Sequence, residues 1–296
     1  MSCGMNPNFG DYDTYHMAAS AIDEAVRNAV AVGADPSRLA ILDNFCWGNT
    51  DRPETLGTLV RAALACHDVA VAWQTPFISG KDSLNNEFAW LDEQGVKQSI
   101  AIPSSLLISA LGQIANVANC VTMDLKTPGN LLFLVGTTYC EFAGSHLFQV
   151  LGKAGGLVPQ VRLETAKRTF IALHNAISQR LIRACHDLSE GGLATALAEM
   201  AFAGEYGIDV DLSLATQRDQ LTATELLFSE SNSRFVIEVS PQSLAGVEKV
   251  FAGLPFVQLG KVTEQESVSI RLGAKPQVDL GWKGLFEAWH APLNWA

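Results

Sequence analysis

The feature that most constrains this chain is the way its hydrophobic period keeps switching without settling into a regular strand–helix–strand beat. From Ala18 to Val32 apolar residues recur at helical spacing, Gly33 and Asp35-Pro36 stop the run, and Leu39 to Leu42 follows as a short strand-like apolar run. That strand ends in Asp43-Asn44-Phe45-Cys46-Trp47-Gly48-Asn49, and the next helix, with Pro53 in its first turn, runs from about Glu54 to Val71. A strand ending at Ile78, a polar loop over Ser79 to Asn86 and a hairpin across Glu93-Gln94-Gly95 come next, then a strand-rich run from Leu106 to Ile114. Asp124, Lys126, Pro128 and Gly129 mark a boundary near 115–130. Beyond it we expect a strand at Leu131–Val135, a helix over 164–183, a turn at His186–Gly192, a helix at Leu193–Ala203 and a strand at Arg234–Val239. Loose alternation of this kind predicts an α+β chain of two domains, residues 1–120 and 125–296.

Composition narrows the partners. With 48% hydrophobic and 17% charged residues, the 296-residue chain can fill real cores. Its net charge of −11 argues against a non-specific grip on nucleic acid or an anionic membrane, but not against phosphorylated metabolites held through Mg²⁺. The longest apolar stretch, Ile100 to Val121, is broken by Pro103, Ser104, Gln113 and Asn116 and does not read as a membrane span. Residues 1–16 carry no secretory leader pattern, and the six cysteines form no CxxC pair, so the expected setting is the reducing cytoplasm.

Four constellations can carry chemistry, each with a plainer alternative. Glu24 and Asn28 share a helix face and can both offer oxygen to Mg²⁺; the alternative is a solvated face with Glu24 paired to Arg27. Asp43 at a strand exit suits a ligand site or a simple Asx-turn. In Ser79-Gly80-Lys81-Asp82-Ser83, Gly80 permits close backbone approach while Lys81, Asp82 and Ser83 offer charge, metal oxygen and hydroxyl, or the stretch is an ordinary polar turn. In His186-Asp187-Leu188-Ser189-Glu190-Gly191-Gly192, Ser189 is a natural N-cap, and the same helix start can bind an anion that Asp187 reaches through Mg²⁺. No Walker A, dinucleotide-fold glycine pattern or Gly-x-Ser-x-Gly elbow is present, and His16, His67, His146, His174 and His290 show no base–nucleophile pattern.

The strings AASAIDEAVRNAVAVGADPSRLAILDNFCWGN, TPFISGKDSLNNEF, ACHDLSEGGLATALAEMAFAG and LFSESNSRFVIEV, in that order, resemble the carboxy-terminal half of the phosphoribosylformylglycinamidine synthase family, within the aminoimidazole ribonucleotide synthetase superfamily. The resemblance implies two domains of the synthetase type, the first truncated at its start. It also implies an ATP-dependent ligase of purine biosynthesis that converts formylglycinamide ribonucleotide to the amidine with ammonia from glutamine. Implied partners are the amino-terminal half of the same enzyme, a glutaminase subunit and a small accessory subunit; implied cofactors are ATP and Mg²⁺. By position in the matching motifs, Asp43, Gly80 and Ser189 contact ATP, Ser83 contacts the ribonucleotide, and Glu24, Asn28 and Asp187 bind Mg²⁺ at a second, structural nucleotide site. Lys81 replaces an Asn that ligates Mg²⁺ in many bacterial members, which counts against ligation there. No catalytic residue is expected in this half, because the family's catalytic histidines lie in the other one. The isolated chain is therefore expected to be inactive and to pair as a homodimer through a sheet face bearing Leu106, Leu107, Ile108 and Leu111. Rival readings are a half that only braces the fold with ADP and Mg²⁺, and a stand-alone small-molecule kinase of the same superfamily.

Overall fold

The computed structural model describes residues 1–215 and 221–294. The elements relevant to the site begin with β1 (Ser2–Gly4), α1 (Pro7–Gly10), α2 (Thr14–Ala31), β2 (Leu39–Cys46), α3 (Pro53–Trp73), β3 (Phe77–Ser83), β4 (Glu87–Leu91), β5 (Lys97–Ala101) and β6 (Ser105–Gly112). They continue with β7 (Leu131–Val135), α4 (His146–Val150), α5 (Leu163–Ser178), β8 (Ala184–Asp187), α6 (Gly192–Gly204), β9 (Gly207–Asp211) and α7 (Ala223–Phe228). The last are β10 (Phe235–Val239), α8 (Leu244–Val250), β11 (Phe256–Thr263), β12 (Ser267–Leu272), β13 (Lys275–Gly281) and α9 (Trp282–His290). The mixed helix and sheet content is that of an α+β chain.

Four strands form one sheet in the order β1-β6-β2-β3, with β2 and β3 parallel and joined by α3. Strand alternation decides what each face does. Leu39, Ile41 and Phe45 of β2 and Leu106, Ile108 and Ala110 of β6 are buried, alongside α2 and α3, in one apolar cluster. Leu107 and Leu111 point the other way, and Leu111 is 41% exposed. The expected apolar docking face is thus halved: Leu106 and Ile108 are covered from within. β4 and β5 form a separate ribbon around the expected Gly95 turn, where Asp92 accepts from the Gln94 and Val96 amides.

Seven strands form the second sheet, in the order β13-β12-β9-β11-β7-β10-β8. Both faces of its middle are covered, so β10 is buried at every position and reads as a continuous apolar run. Phe133, Val135, Phe235 and Ile237 join the cluster that contains α2 and α5, whereas Leu132, Leu134 and Val236 pack with α6 on the opposite side. α2 lies between the two sheets and is buried nearly all round. Its alanines (Ala18, Ala21, Ala25, Ala29) allow that close approach, and Asp13 caps its start by accepting from the Tyr15 and His16 amides. α3 is the one helix among the described residues long and apolar enough to cross a membrane by length and composition; Ala62, Ala65, Cys66 and Val69 on its inner face are buried against the protein.

Three boundaries differ from the sequence reading. β2 continues through Asp43 to Cys46, β3 continues through Ser83, and β8 takes in His186 and Asp187. At the ends of β3 and β8 polar side chains are tolerated because these are edge strands, where charge opposes further pairing, whereas β2 is an interior strand paired on both sides.

Glu238 is the one carboxylate buried within β10, and it pins the segment leading into β7. It accepts from the Lys126 amide (2.8 Å), the Thr127 amide (3.1 Å) and Asn130 Nδ2 (2.5 Å). Glu238→Ala leaves those donors facing a cavity and is expected to lower stability by about 2–3 kcal/mol, read as a urea midpoint shift. A shift below about 0.5 kcal/mol would mean that water takes over the donors.

Candidate functional site

The candidate site is built around Arg27, which is buried on α2 and makes its bonds to three residues. Its Nη1 donates to Asp23 one turn earlier on the same helix. Its Nε donates to Asp187 Oδ2 at 3.2 Å, and its Nη2 to Ser189 Oγ at 2.8 Å. Ser189 Oγ in turn donates to Asp187 Oδ2 at 2.6 Å. Asp23 is fully buried and accepts from both the amide and the hydroxyl of Ser233. One guanidinium therefore ties α2 to the end of β8, to the turn after it and, through Asp23, to the loop before β10.

The turn after β8 is held from a second direction. Glu230 Oε1 accepts from the Gly191 and His146 amides, each at 2.9 Å. Gly191 and Gly192 take φ of 75° and 64°, in the left-handed region, and a Cβ on Gly192 would sit 2.4 Å from the Ser229 carbonyl oxygen. Gly191, not Ser189, is the N-cap of α6, and it makes no side-chain cap bond. The expected cap role of Ser189 is overturned because Arg27 and Asp187 occupy its hydroxyl.

Glu24, Asn28, Asp187 and Ser189 meet at a cavity of about 270 Å³ whose other walls include His186, Glu190 and Glu199. Glu24 is not the partner of Arg27 by hydrogen bond: its Oε2 accepts from the Met5 amide (3.1 Å) and Asn6 Nδ2 (2.8 Å). Asn28 Nδ2 donates to the Cys3 carbonyl at 3.2 Å, leaving its own amide oxygen without a protein donor in that bond. His186 bridges Asp187 and Glu199, with Nε2 2.7 Å from Glu199 Oε2.

The electrostatics divide sharply. Burial works against the charge on His186, but Asp187 and Glu199 outweigh it and push its pKa up to about 9. Burial likewise opposes the Asp187 charge, yet the hydrogen bond with His186 and the Arg27 charge hold that carboxyl well below the usual range. Glu24 goes the other way: burial first, with the Glu190 charge adding, raises it from 4.5 to about 7 against the pull of Arg27. A cavity that offers carboxylate and amide oxygens with insufficient cation beside Glu24 fits a hard divalent ion such as Mg²⁺. Among the described residues no three His, Cys, Asp or Glu side chains gather into a protein-only metal cage. Mg²⁺ commonly takes one or two carboxylates and completes its shell with water and phosphate, so the oxygen set suits it without such a cage.

The second group of sequence candidates lies elsewhere, on β2 and β3. Asp43 and Gly80 are direct partners in the parallel pair, and a Cβ on Gly80 would sit 2.1 Å from Asp43 Oδ1. Asp43 faces α3, where burial, with the Asp43 charge adding, pushes the Cys66 thiol up to about 12. Burial and the Asp82 charge raise Asp43 itself. Lys81 and Ser83 occupy the alternate positions, on the open face, with Lys81 Nζ donating to Ser83 Oγ. The expected cradle of Gly80, Lys81, Asp82 and Ser83 is thus split between two faces.

Sequence reasoning missed Asp23, Glu230 and Ser233, and gave Arg27 only as a partner for Glu24 rather than for Asp23, Asp187 and Ser189. Asp23 and Arg27 stand four apart on a helix and were legible as a pair, whereas the reach from Arg27 to Asp187 spans 160 positions and carries no local signal.

Against known proteins, the family profile described as "AIR synthase related protein, N-terminal domain" matches residues 2–94, and its "C-terminal domain" counterpart matches residues 127–273. The chain belongs to the AIR synthase-related family. Curated relatives include phosphoribosylformylglycinamidine synthase subunit PurL of Thermococcus sibiricus, 36% identical over 88% of this chain and 34% of that protein. The Deinococcus radiodurans subunit of the same name is 35% identical over 98% of this chain and 38% of that protein. The chain thus spans about a third of the length of these relatives. Among solved structures, T. maritima PurL complexed with FGAR superposes with a TM-score of 0.75 at 18% identity, over 96% of this chain and 45% of that one. The T. maritima PurL complex with ATP gives 0.69 at 17% identity, over 95% and 43%. These likenesses place the family-member chain in the same fold.

Because the folded state holds the Glu24 proton to about pH 7 while the unfolded chain releases it near 4.5, stability is fully present below 4.5 and falls as pH rises through 7. Glu24→Gln removes that fall. In Mg²⁺-free buffer its stability relative to the wild type is expected to improve by about 1–3 kcal/mol between pH 4.5 and 8, measured by urea unfolding. Parallel pH profiles for the two proteins would contradict the burial of Glu24 charge.

Proposed function

We propose that this chain is the carboxy-terminal half of an ATP-dependent C–N ligase, a phosphoribosylformylglycinamidine synthase, working in the cytoplasm in purine biosynthesis. The observation that carries the reading is the meeting of Glu24 and Asn28 from α2 with Asp187 and Ser189, about 160 residues away, at one acidic cavity. Such a cavity repels a bare phosphate and accepts one only with a divalent cation between them. In this reading Glu24, Asn28 and Asp187 hold Mg²⁺, which neutralises nucleotide phosphates, and Ser189 with the Gly191-Gly192 turn faces those phosphates. Arg27 orients Asp187 and Ser189 without itself reaching the nucleotide.

The rest of the enzyme lies in a partner segment. In the reaction the amide oxygen of formylglycinamide ribonucleotide (FGAR) takes a phosphoryl group from ATP, and ammonia then displaces phosphate to leave the amidine. The open face of the first sheet, with Ser83, Lys81, Leu107 and Leu111, is the surface we assign to the amino-terminal half, with Ser83 as the substrate-side hydroxyl. Asp43 and Gly80, packed side by side, serve the second ATP contact, and the domain division at 1–120 and 125–296 follows the two sheets. A glutaminase subunit and a small accessory subunit supply ammonia in the same scheme. Alone, the chain lacks the catalytic histidines of the other half and is expected to bind nucleotide without forming amidine; a second copy covering the open face would make it a homodimer.

Calorimetric titration with ADP tests the cavity. Binding is expected only with Mg²⁺ present, and Asn28→Ala, which removes one oxygen donor and little packing, is expected to weaken it about tenfold. Equal affinity with and without Mg²⁺, or no change in Asn28→Ala, would contradict the reading.

A further inference from the structure

A cavity of about 170 Å³ shares no wall residue with the acidic one and lies where the end of α2, the end of β6 and the end of α5 come together. His174 of α5 closes that junction, its Nδ1 3.2 Å from the Gly33 carbonyl, which can only accept. Asn116 and Asn119, from the segment after β6, line the cavity with their oxygens already committed. Asn116 Oδ1 accepts from the Ala118 amide and Asn119 Oδ1 from Arg180 Nε, each at 3.0 Å, so both side chains keep an NH₂ group to donate. Arg38 stands at the same cavity, and its guanidinium makes no hydrogen bond or ion pair among the described residues. Asp35 is the one carboxylate in the wall. Its Oδ1 accepts from the amide and the hydroxyl of Ser37, at 2.9 and 2.7 Å, which leaves Oδ2 free. Burial opposes its charge, but the Ser37 bonds, with His174 and Arg38, hold that carboxyl below its usual range.

We propose that this junction cavity binds a small zwitterionic α-amino acid. The guanidinium of Arg38 and the NH₂ groups of Asn116 and Asn119 are donors without a protein acceptor, which is what a carboxylate needs. Asp35 Oδ2 is the acceptor for an ammonium group. Two helices end at this place and none begins: Gly33 follows α2, and Ile177 and Ser178 are the last residues of α5. Helix C-terminal ends carry unpaired carbonyls and negative partial charge, so they favour an ammonium and oppose a doubly charged phosphate. Arg38, lacking an ion-pair partner, opposes a bare metal ion in turn. Ile114, Ala115 and Ile177 give the remaining wall an apolar surface suited to a short side chain. The volume is below the roughly 300 Å³ at which pockets for drug-sized ligands begin, which excludes a nucleotide. A ligand here touches α2 and β6 on one side and α5 on the other, so its binding stabilises the placement of one sheet's helix against the other's. The proposal stands independently of the nucleotide reading of the acidic cavity.

The test titrates the 296-residue chain with L-alanine, L-serine and L-valine, followed by ligand-observed NMR. Propionate, ethylamine and inorganic phosphate are the controls, since the first two keep only one charge of the zwitterion each. At least one amino acid is expected to bind with a Kd below about 10 mM, and at least tenfold more tightly than any control. Arg38→Gln and Asp35→Asn are each expected to weaken it at least tenfold. Both variants are expected to fold, because Arg38 is exposed and Asn at position 35 retains an oxygen for Ser37. Cys120 lines the cavity, which supplies a readout on the unaltered chain. The bound amino acid is expected to slow iodoacetamide labelling of Cys120 while leaving that of the exposed Cys140 unchanged, as read by peptide mass spectrometry. Absence of binding by all three amino acids overturns the proposal, as does binding of phosphate or propionate with equal affinity, which would mark a plain anion site. Unchanged affinity in both variants, or undiminished labelling of Cys120 at saturation, places the ligand elsewhere and overturns it too.

Discussion

A single buried guanidinium, Arg27, is the constraint on which the candidate site depends. A buried cation of this kind must be fully paired, because leaving either its charge or its partners alone costs several kcal/mol. Arg27 meets that demand with Asp23 on its own helix and with Asp187 and Ser189 from the end of the edge strand β8 and the turn after it. Since a buried ion pair adds little net stability over well-packed apolar groups, its contribution here is register: it admits one placement of β8 against α2. Glu24 and Asn28 lie on that same helix, so the placement also brings their oxygens to the wall that Asp187 shares.

The two sides of the cavity are held by different means, and that difference governs its chemistry. Asp187 is committed to Arg27, Ser189 and His186, which keep it ionised. Glu24 is fixed by the chain's first residues, through the Met5 amide and Asn6, and lacks comparable cation cover. An ionised group that is locked in place, beside one whose charge is costly, is the arrangement in which an added divalent cation gains most. The Gly191-Gly192 turn, anchored by Glu230, keeps side chains out of the space above the start of α6. Nothing in that construction demands that the first sheet's Asp43 and Ser83 take part in the same cavity, and they lie on different faces of a different sheet.

Much of the frame was legible from periodicity. The helical spacing in Ala18–Val32 marked α2, the Leu39–Leu42 run marked the first half of β2, and the Leu131–Val135 and Arg234–Val239 runs marked the central strands β7 and β10. Composition misled where strands run along an edge. Ser79-Gly80-Lys81-Asp82-Ser83 has the makeup of a loop, yet its backbone pairs with β2 and the strand alternation divides its side chains. His186 and Asp187 read as a turn for the same reason. Ser189 before a helix has the makeup of an N-cap, but a tertiary partner, Arg27, outcompeted the local bond. The co-location of Glu24, Asn28 and Asp187 entered only through the family resemblance, because contacts across 160 positions leave no trace in local pattern.

The most direct measurement is a double-mutant cycle between Arg27→Met and Asp187→Asn, by urea unfolding at neutral pH. If the guanidinium and carboxylate specify each other, either single change leaves a buried group unpaired and the double change relieves both. The coupling is then expected to be at least about 2 kcal/mol. Additive losses, with coupling within about 0.5 kcal/mol, would mean that Arg27 does not hold Asp187 and that the cavity is assembled by something else.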